Sequence, residues 1–466
     1  MVTLPPTAGG RMRKQLVALV SSATFALTVL GAAPAAADPP PRDISVDSIT
    51  NSLSQHATQV EPDTFAFGQT VVAAFQNGRN FAGSSAAIGV SVSHNGGHTW
   101  RSRTYLPWLT VFASPAGPFV AATDPSVAYD ARHHRWLIST LVTGGGMPGG
   151  GLAISASDDN GDNWLPPVVI APPADGSNYD KNWIVCDNSS TSRFYGHCYG
   201  TWDDFGHLDL LLSNTSTDGG RTWSAPAPTA DRALGIGGQP LVQSDGTVVV
   251  PVDNLVETAL LAYRSTDGGA SWGPTIGITP IQRHVVAGNL RAGALPSAEI
   301  DATGTVFVAW PDCRFRPGCS SNDILISRST DGITWTAPAR VPIDAVGSTV
   351  DHFIPGLAVD PSTSGSRAHL GLAYYSYPQT DCTPATCRLD IGFISSTNAG
   401  TTWSTPRRLN QTSMELPWLA DTSQGRMVGD YISTSFSNGK AVPVFALASA
   451  PDTAFHESMF SAVVNV

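Results

Sequence analysis

The stretch STDGGRTW at residues 216–223 decides the fold, because close copies of it recur along most of the chain. Each copy begins with a Ser, continues with an Asp or Asn and a Gly, and ends on a Trp. Successive Trp residues of these copies are 49 to 68 residues apart. Recurrence at such a period indicates a repeat architecture. The six copies are SHNGGHTW at 93–100, SDDNGDNW at 157–164, STDGGRTW at 216–223, STDGGASW at 265–272, STDGITW at 329–335 and STNAGTTW at 396–403.

The chemistry of the octet suits a tight turn between two strands. An Asp or Asn accepts backbone N–H groups within the turn, and Gly supplies the positive φ that the reversal needs. The Trp opens the next strand and can bury against a neighbouring sheet. Alternating or apolar runs such as ALLAYRS precede the octets. Asp218, Asp267 and Asp331 are therefore predicted to form turns, and one repeat is predicted to be a small antiparallel sheet.

Stacking such sheets around an axis buries both of their faces, which predicts an all-β propeller. Seven blades are favoured, with six as the alternative. The last blade lacks a box and can be completed by DISVDSIT at 43–50, which would protect an exposed edge. The predicted division is a signal at 1–37, an extension or closing strand at 38–60 and one propeller at 61–466. The inner strands are predicted at EPDTFAF (61–67), DPSVAYD (124–130), DKNWIVCD (180–187), QPLVQSD (239–245), LPSAEID (295–301), IPGLAVD (354–360) and GDYISTSF (429–436).

The first 37 residues have the features of an export signal: a basic head at 11–14, an apolar stretch at 16–30 and a small-residue cleavage site before Asp38. Removing this segment moves the formal net charge from −11 to −14. A polyanion binder needs a basic surface, so nucleic acid is excluded as a partner. No later stretch is long and apolar enough to span a membrane. We expect a secreted, monomeric protein without membrane insertion.

Six cysteines in an exported chain are expected to be oxidised. They fall into three sequential couples, and no spacing typical of a zinc site occurs. The expected disulfides are Cys186–Cys198, Cys313–Cys319 and Cys382–Cys387.

The octets resemble the Asp-box (BNR) repeats of the sialidase superfamily, over nearly the whole mature chain. That resemblance implies boxes on the outer rim and an active site with three arginines around a carboxylate, a Tyr nucleophile activated by Glu, and an Asp acid/base. The Phe-Arg-Ile-Pro motif of the family is absent, since Phe353-Ile354-Pro355 lacks the Arg. The catalytic residues that the resemblance suggests are Tyr431, Asp430, Asp124, Arg426, Arg314 and Arg291.

In a propeller, the starts of the inner strands converge on one mouth of the central channel. The polar residues expected there, as substrate-binding groups, are Glu61, Asp180, Lys181, Gln239, Asp351 and His352. Converging carboxylates with Arg and Tyr are typical of sugar chemistry. The leading hypothesis is a secreted, sialidase-like glycoside hydrolase acting on extracellular glycans. The alternative is a non-catalytic propeller that binds glycan or protein. No cofactor is expected, although a divalent cation at the axis is a third hypothesis.

Overall fold

The computed structural model describes residues 39–147 and 150–466, so the predicted export signal at 1–37 lies outside the described residues. Strands dominate this part of the chain, and the helices are short 3₁₀ turns. No helix among the described residues is long and apolar enough to cross a membrane. The all-β fold class is therefore confirmed.

The strands of the first half are β1 (Arg42–Asp43), β2 (Gln59–Phe67), β3 (Thr70–Arg79), β4 (Ser85–Ser93), β5 (Arg101–Tyr105), β6 (Phe119–Asp130), β7 (Arg135–Gly144), β8 (Gly150–Ser157), β9 (Val168–Ala171), β10 (Tyr179–Cys186), β11 (Cys198–Asp204), β12 (Leu210–Ser216), β13 (Ala227–Pro228), β14 (Gly235–Ile236), β15 (Leu241–Val242), β16 (Val248–Asn254), β17 (Ala259–Ser265) and β18 (Ile276–Pro280).

The second half continues with β19 (Ser297–Ile300), β20 (Val306–Asp312), β21 (Asp323–Ser329), β22 (Ala339–Arg340), β23 (Asp351–Val359), β24 (Leu370–Tyr377), β25 (Arg388–Ser396), β26 (Arg407–Arg408), β27 (Met414–Glu415), β28 (Ala420–Thr422), β29 (Gly425–Met427), β30 (Ser433–Ser437), β31 (Lys440–Ser449), β32 (His456–Ser461) and β33 (Val464–Asn465). The 3₁₀ turns are η1 (Phe205–His207), η2 (Ala287–Asn289), η3 (Pro317–Cys319), η4 (Gly365–Arg367) and η5 (Leu416–Trp418).

Most sheets are antiparallel meanders whose strand order follows the chain. Strands β10 to β13, β19 to β22 and β23 to β26 each form one such sheet, and β27 also pairs with β25. In the sheet of β16 to β18, both β14 and β15 pair with β16. The meanders β2 to β5 and β6 to β9 are joined by one pair, Ser85 with Ala122. The small antiparallel sheet predicted for each repeat is present.

The last sheet combines strands from both ends of the described chain. Strand β1 pairs with β32, with Arg42 opposite Ser461 and Asp43 opposite Phe460. The remaining strands of this sheet are β31, β30 and β33. Asp43, the first residue of the segment at 43–50, therefore pairs with the last sheet as predicted, whereas residues 44–50 form no strand.

The Asp-box turns have the predicted chemistry, as the third copy shows. The Ser216 hydroxyl donates to Asp218 Oδ1 at 2.9 Å and accepts the Gly220 N–H at 2.9 Å. Asp218 also accepts the Thr222 N–H at 2.9 Å and its hydroxyl at 2.6 Å. The Trp223 indole donates to the Gly220 carbonyl at 3.2 Å. Asp218 thus holds its turn closed, as do Asp267 and Asp331 in theirs.

The core lies between neighbouring sheets and is built on large aromatic side chains. Trp136, Trp202 and Trp310 are fully buried, each in a separate apolar cluster. A disulfide between Cys186 and Cys198 joins register partners of β10 and β11. The other two predicted disulfides are also formed.

Candidate functional site

The site is built on a β-bulge that recurs near the start of the first strand in several meanders. The register of β2, β6, β10 and β23 shifts at this point. A non-glycine residue with positive φ lies at each shift: Glu61 at 53°, Asp124 at 48°, Lys181 at 42° and Ile354 at 49°. This left-handed conformation is strained for such residues and is concentrated at functional sites. Three of the four bulges therefore bring a charged side chain to one place.

Lys181 is the centre of that place. Its Nζ donates to Glu61 Oε1 at 3.0 Å, to Asp124 Oδ1 at 3.0 Å and to Asp430 Oδ2 at 2.5 Å. All four side chains are at least nine-tenths buried. A buried charge needs such partners, because leaving water costs it several kcal/mol. We call Glu61, Asp124, Lys181, Asp430 and Arg291 the Lys181 cluster.

Arg291 adds a second positive charge to the cluster, from the side that faces solvent. Its Nε donates to Asp430 Oδ1 at 2.6 Å, and its Nη2 donates to Asp430 Oδ2, which makes a two-pronged ion pair. The Arg291 side chain is 20% exposed, against 7% for Asp430. The Arg291 N–H also donates to the Arg426 carbonyl at 2.7 Å, which fixes the loop that carries it.

The carboxyl groups of the cluster have opposed pKa shifts. Burial raises the pKa of Glu61 to about 7, with Lys181 opposing the shift and Asp124 adding to it. Burial would also raise the pKa of Asp430, but Lys181 and Arg291 outweigh it and hold that pKa well below its usual value. Neighbouring carboxyls with separated pKa values are the arrangement that general acid catalysis uses.

Three polar residues that the sequence analysis missed orient the carboxylates. The Gln76 amide donates to Glu61 Oε2 and to the Thr123 hydroxyl, the latter at 2.8 Å. The Thr123 hydroxyl in turn donates to Asp124 Oδ2 at 2.9 Å, and Arg79 donates to the side-chain oxygen Oε1 of Gln76 at 2.7 Å. Gln76 and Arg79 lie on β3, in a region with no local motif, so only the pairing of β2 with β3 could have found them.

A small pocket opens beside Lys181 and has aromatic and apolar walls. The rings of Trp183 and Tyr431 meet edge to face at 5.1 Å, and Lys181 Nζ lies 5.5 Å from the Tyr431 ring centre. The remaining lining residues are Asn182, Gly237, Gln239, Leu295 and Pro296. The mouth of this pocket thus has a charged side at Lys181 on β10 and an apolar side formed by Leu295, Pro296 and the two rings.

Tyr431 lies in the pocket but is not poised as an anion. Burial raises its pKa well above the usual value, and the carboxylates of Asp124 and Glu61 raise it further. Its hydroxyl donates to the Pro125 carbonyl at 3.4 Å. Gln239 Oε1 accepts the Ala298 N–H at 2.5 Å, so this residue braces the pocket wall.

Asp180 extends the acidic side of the site. It neighbours Lys181 in sequence and is the register partner of Asp203 on β11. Burial raises the pKa of Asp180, with Lys181 opposing that shift. Burial, together with Asp180 and Asp209, raises the pKa of the buried Asp203 strongly. Asp203 was not among the predicted residues; it lies near the end of β11, just before the η1 turn.

Two predicted catalytic arginines bind elsewhere. Arg314 forms an ion pair with Asp312 at 2.6 Å and donates to the Pro280 carbonyl, next to the Cys313–Cys319 disulfide. Arg426 donates to the Leu419 carbonyl at 2.8 Å, and its Nε lies 3.7 Å from Asp421. The structure therefore does not bring these guanidinium groups to the Lys181 cluster, because each is bound by residues that lie a few positions away along the chain.

Asp351 and His352 also lie apart from the cluster, because the bulge of β23 presents Ile354 at the matching position. Asp351 Oδ1 accepts the Asn322 N–H at 2.7 Å. The buried His352 ring lies 3.8 Å from Asp344, and burial lowers its pKa.

Among the described residues, donor groups spaced for a metal ion occur at Asp323, Asp344 and His352, and at Asp130 with the disulfide of Cys186 and Cys198. Arg316 binds Asp323 at 2.6 Å and Asp344 at 2.7 Å, and Arg340 binds the same two carboxylates. The first group is thus already neutralised by two guanidinium groups. In the Lys181 cluster, the Lys181 ammonium takes the position that the three carboxylates would offer a cation.

Residues 152–354 match the family model described as BNR repeat-like domain. This segment therefore resembles a BNR repeat-like domain, and four of the six octets lie within it. No curated protein sequence matches this BNR-repeat protein significantly. Among solved structures, a polysaccharide lyase described as PL25 ulvan lyase, bound to a GlcA(1-4)Rha3S unit, aligns over 91% of this chain and 96% of its own at 10% identity, with a TM-score of 0.52.

Two sialidases also align with the BNR-repeat protein. The Hadza microbial sialidase Hz136 covers 86% of this chain and 74% of its own, at 15% identity and a TM-score of 0.46. The NanB sialidase from Streptococcus pneumoniae covers 91% and 70%, at 13% identity and a TM-score of 0.43. At these identities, the likeness concerns the fold alone.

Proposed function

We propose that this BNR-repeat protein is a secreted, glycan-active propeller that binds one saccharide unit across the mouth of the pocket beside Lys181, because the pocket itself, at about 10 Å³, has room for one water molecule. The observation that carries the proposal is the two-sided mouth. Arg291, which is 20% exposed beside the Lys181 cluster, offers a charged hydrogen-bonding group on one side, whereas the aromatic side chains of Trp183 and Tyr431 line the other. A sugar ring presents a polar edge and an apolar face, and such a mouth can contact both at once.

The ring form is supported by contacts between the first strands of successive meanders. Contacts run from β2 to β6, β10, β15, β19, β23 and β30, and from β30 back to β2. Counting these strands gives seven blades around one axis, with β1 completing the last. The region from Glu61 onward then forms one propeller, and 38–60 is its closing extension.

Secretion is proposed from the export features of residues 1–37 together with the oxidised cysteines. Each of the six cysteines is paired in a disulfide. Disulfides persist in oxidising compartments outside the cytosol. The expected partner is an extracellular glycan, bound by a single copy of the chain.

Glycan binding is the function that the geometry supports best. The cluster contains one arginine, and that arginine already grips Asp430. Tyr431 has a raised pKa and donates to a main-chain oxygen. A sialidase-type grip by three arginines and an activated Tyr is therefore not assembled from the predicted residues.

Glycoside hydrolysis is the second candidate, and Glu61 is the observation in its favour. A carboxyl group with a pKa of about 7 beside an ionised Asp430 is suited to protonate a leaving oxygen. Glu61 and Asp124 are each 3.0 Å from Lys181 Nζ, so their carboxyl groups lie close enough to act on one bond. The substrate would have to reach these groups past Lys181.

The test uses a glycan array, followed by calorimetric titration of the best ligand. We expect Trp183→Ala to abolish binding, because the ring face at the pocket is lost. Tyr195→Ala, which removes a partly buried aromatic from the loop between β10 and β11, is the matched control and should bind normally. Equal binding by both variants would refute the pocket.

Hydrolysis is tested on the same ligands by sugar release. If Glu61 is the acid, Glu61→Gln will lose turnover while it still binds the glycan. A wild type that binds but releases no sugar is a lectin-like protein, and the hydrolase hypothesis is then wrong.

A further inference from the structure

A second cavity, of about 660 Å³, lies at the other ends of the inner strands from the Lys181 cluster. Strand β2 shows the separation, because Glu61 lies near its start and residues 64–67, near its end, line this cavity. The ends of β10, β19 and β23 and most of β30 contribute further walls. This cavity and the pocket beside Lys181 share no lining residue.

The cavity has the charge of a cation site. Its lining includes Glu299, Asp301 and Asp360 but no Lys, Arg or His. Asp301 and Asp360 are occupied in turns, where they accept the N–H groups of Thr303 and Ser362 at 2.9 Å. Glu299 is different, because it forms no ion pair with a basic residue in the described part of the chain.

Glu299 also faces an environment that disfavours its charge. Burial raises its pKa to about 8, and the carboxylate of Asp63 adds to the shift. Asp63 itself is held by the Val127 N–H at 2.7 Å. A cation beside Glu299 would remove this penalty, since an opposite charge favours the ionised carboxylate.

The remaining walls of the cavity are apolar or weakly polar. Phe65, Phe436 and Val359 line the cavity, and at its edge the half-exposed Phe67 ring stacks on Tyr129 with 4.2 Å between ring centres. An aromatic face can also attract an ammonium group. A pocket of this size with one convergent charge is typical of small organic ligands.

We infer that this cavity is a second binding site, which takes a small ligand carrying a protonated amine on an apolar body. Glu299 pairs with the ammonium group, and the phenylalanine rings cover the body. The site is separate from the proposed glycan pocket and does not depend on it.

The inference is tested by calorimetric titration with 2-phenylethylamine, against its neutral isostere 2-phenylethanol. We expect the amine to bind at least about tenfold more tightly, in line with the about 1.4 kcal/mol of a modest charge pair. Because Glu299 ionises near pH 8, affinity for the amine should rise about tenfold between pH 7 and pH 9. Equal affinity for both compounds, or no binding of the amine, would overturn the inference.

The matched variants are Glu299→Gln and Glu415→Gln. Glu415 is partly exposed, pairs with Arg388 at 3.2 Å and does not line the cavity. Glu299→Gln should abolish the preference for the amine and retain glycan binding beside Lys181, whereas Glu415→Gln should behave as wild type. A preference that survives in Glu299→Gln contradicts the assignment. If that variant does not fold, the amine–alcohol difference and its pH profile in the wild type decide the matter.

Discussion

The Asp-box turns and the Lys181 cluster use carboxylates in opposite ways. In the fifth box, hydrogen bonds from the Thr334 and Ile333 N–H groups lower the pKa of Asp331 to about 2. In the cluster, burial raises the pKa of Glu61 to about 7. The first carboxylate is stabilised by its own turn and the solvent, and the second by Lys181, which is 120 positions away along the chain.

The difference separates a structural role from a functional one. A box carboxylate has all its partners within four residues, so its turn forms wherever the octet occurs. Burial of a cluster carboxylate costs free energy, which is offset only by its ion pair with Lys181, a residue of another sheet. Groups that are expensive for the fold are candidates for function, because stability alone does not explain them.

The largest expected effect is that of Lys181→Met. Removal of the ammonium leaves Glu61, Asp124 and Asp430 buried without their shared partner, which should cost about 3–5 kcal/mol in the free energy of unfolding. Urea denaturation at pH 7 measures it. Lys440→Met is the control, since this surface lysine contacts Asn465 and its loss should change stability by less than about 0.5 kcal/mol. Similar losses in both variants would mean that the cluster is not a buried ion-pair centre.

The next effect is a stability that falls as pH rises. Burial raises the pKa values of Glu61 to about 7 and of Glu299 and Asp253 to about 8, so the folded protein keeps protons that the unfolded chain releases. Each such proton lowers the free energy of unfolding by about 1.4 kcal/mol per pH unit between the unfolded and folded pKa values.

The box carboxylates act in the opposite direction at lower pH. The stability that Asp331 contributes is complete above its unfolded pKa of 3.8 and is lost as pH falls towards 2. Maximum stability is therefore expected at about pH 4, where the two limbs meet. Urea midpoints measured across the pH range follow both changes in stability. Asp253→Asn should reduce only the loss of stability that occurs as pH rises towards 8. A maximum above pH 7 would contradict the raised pKa values.

The smallest effects concern single boxes. Asp218→Ala removes the acceptor that closes its turn and should cost about 1 kcal/mol, as loss of a capping side chain does. Asp218→Asn should cost less than about 0.5 kcal/mol, because Asn95 and Asn398 accept the equivalent N–H groups at 2.8 Å in two natural boxes. Thermal unfolding of the two variants measures the difference. An Asn variant as unstable as the Ala variant would show that the charge matters more than the acceptor.

The sequence predicted what depends on local chemistry. The turns, the strands beside them and the three disulfides follow from residues that are close along the chain. The pairing of the segment at Asp43 with the last strands was also predictable, because an incomplete sheet needed an edge partner. The count of blades and the roles of the site residues stay predictions.

The membership of the site was harder to predict because it depends on a change of register. A strand without a bulge alternates its side chains strictly, whereas the left-handed residue at each bulge turns one extra side chain to the mouth. Glu61, Asp124 and Ile354 each precede a proline, and Lys181 occupies the same bulge. Aligning the segments on this position would have selected Ile354 in place of Asp351 and His352. No comparable pattern in the sequence indicates that Arg314 binds Asp312 or that Arg426 binds the Leu419 carbonyl.

The pairing of β1 with β32 also bears on how the protein reaches its native state. Asp43 meets Phe460 across more than four hundred intervening residues, and closing so long a loop must be offset by contacts formed earlier. A topology with contacts of such sequence separation is expected to fold slowly. As long as β1 is unpaired, the edge of β32 can pair with a foreign strand, and the pairing of β1 protects that edge.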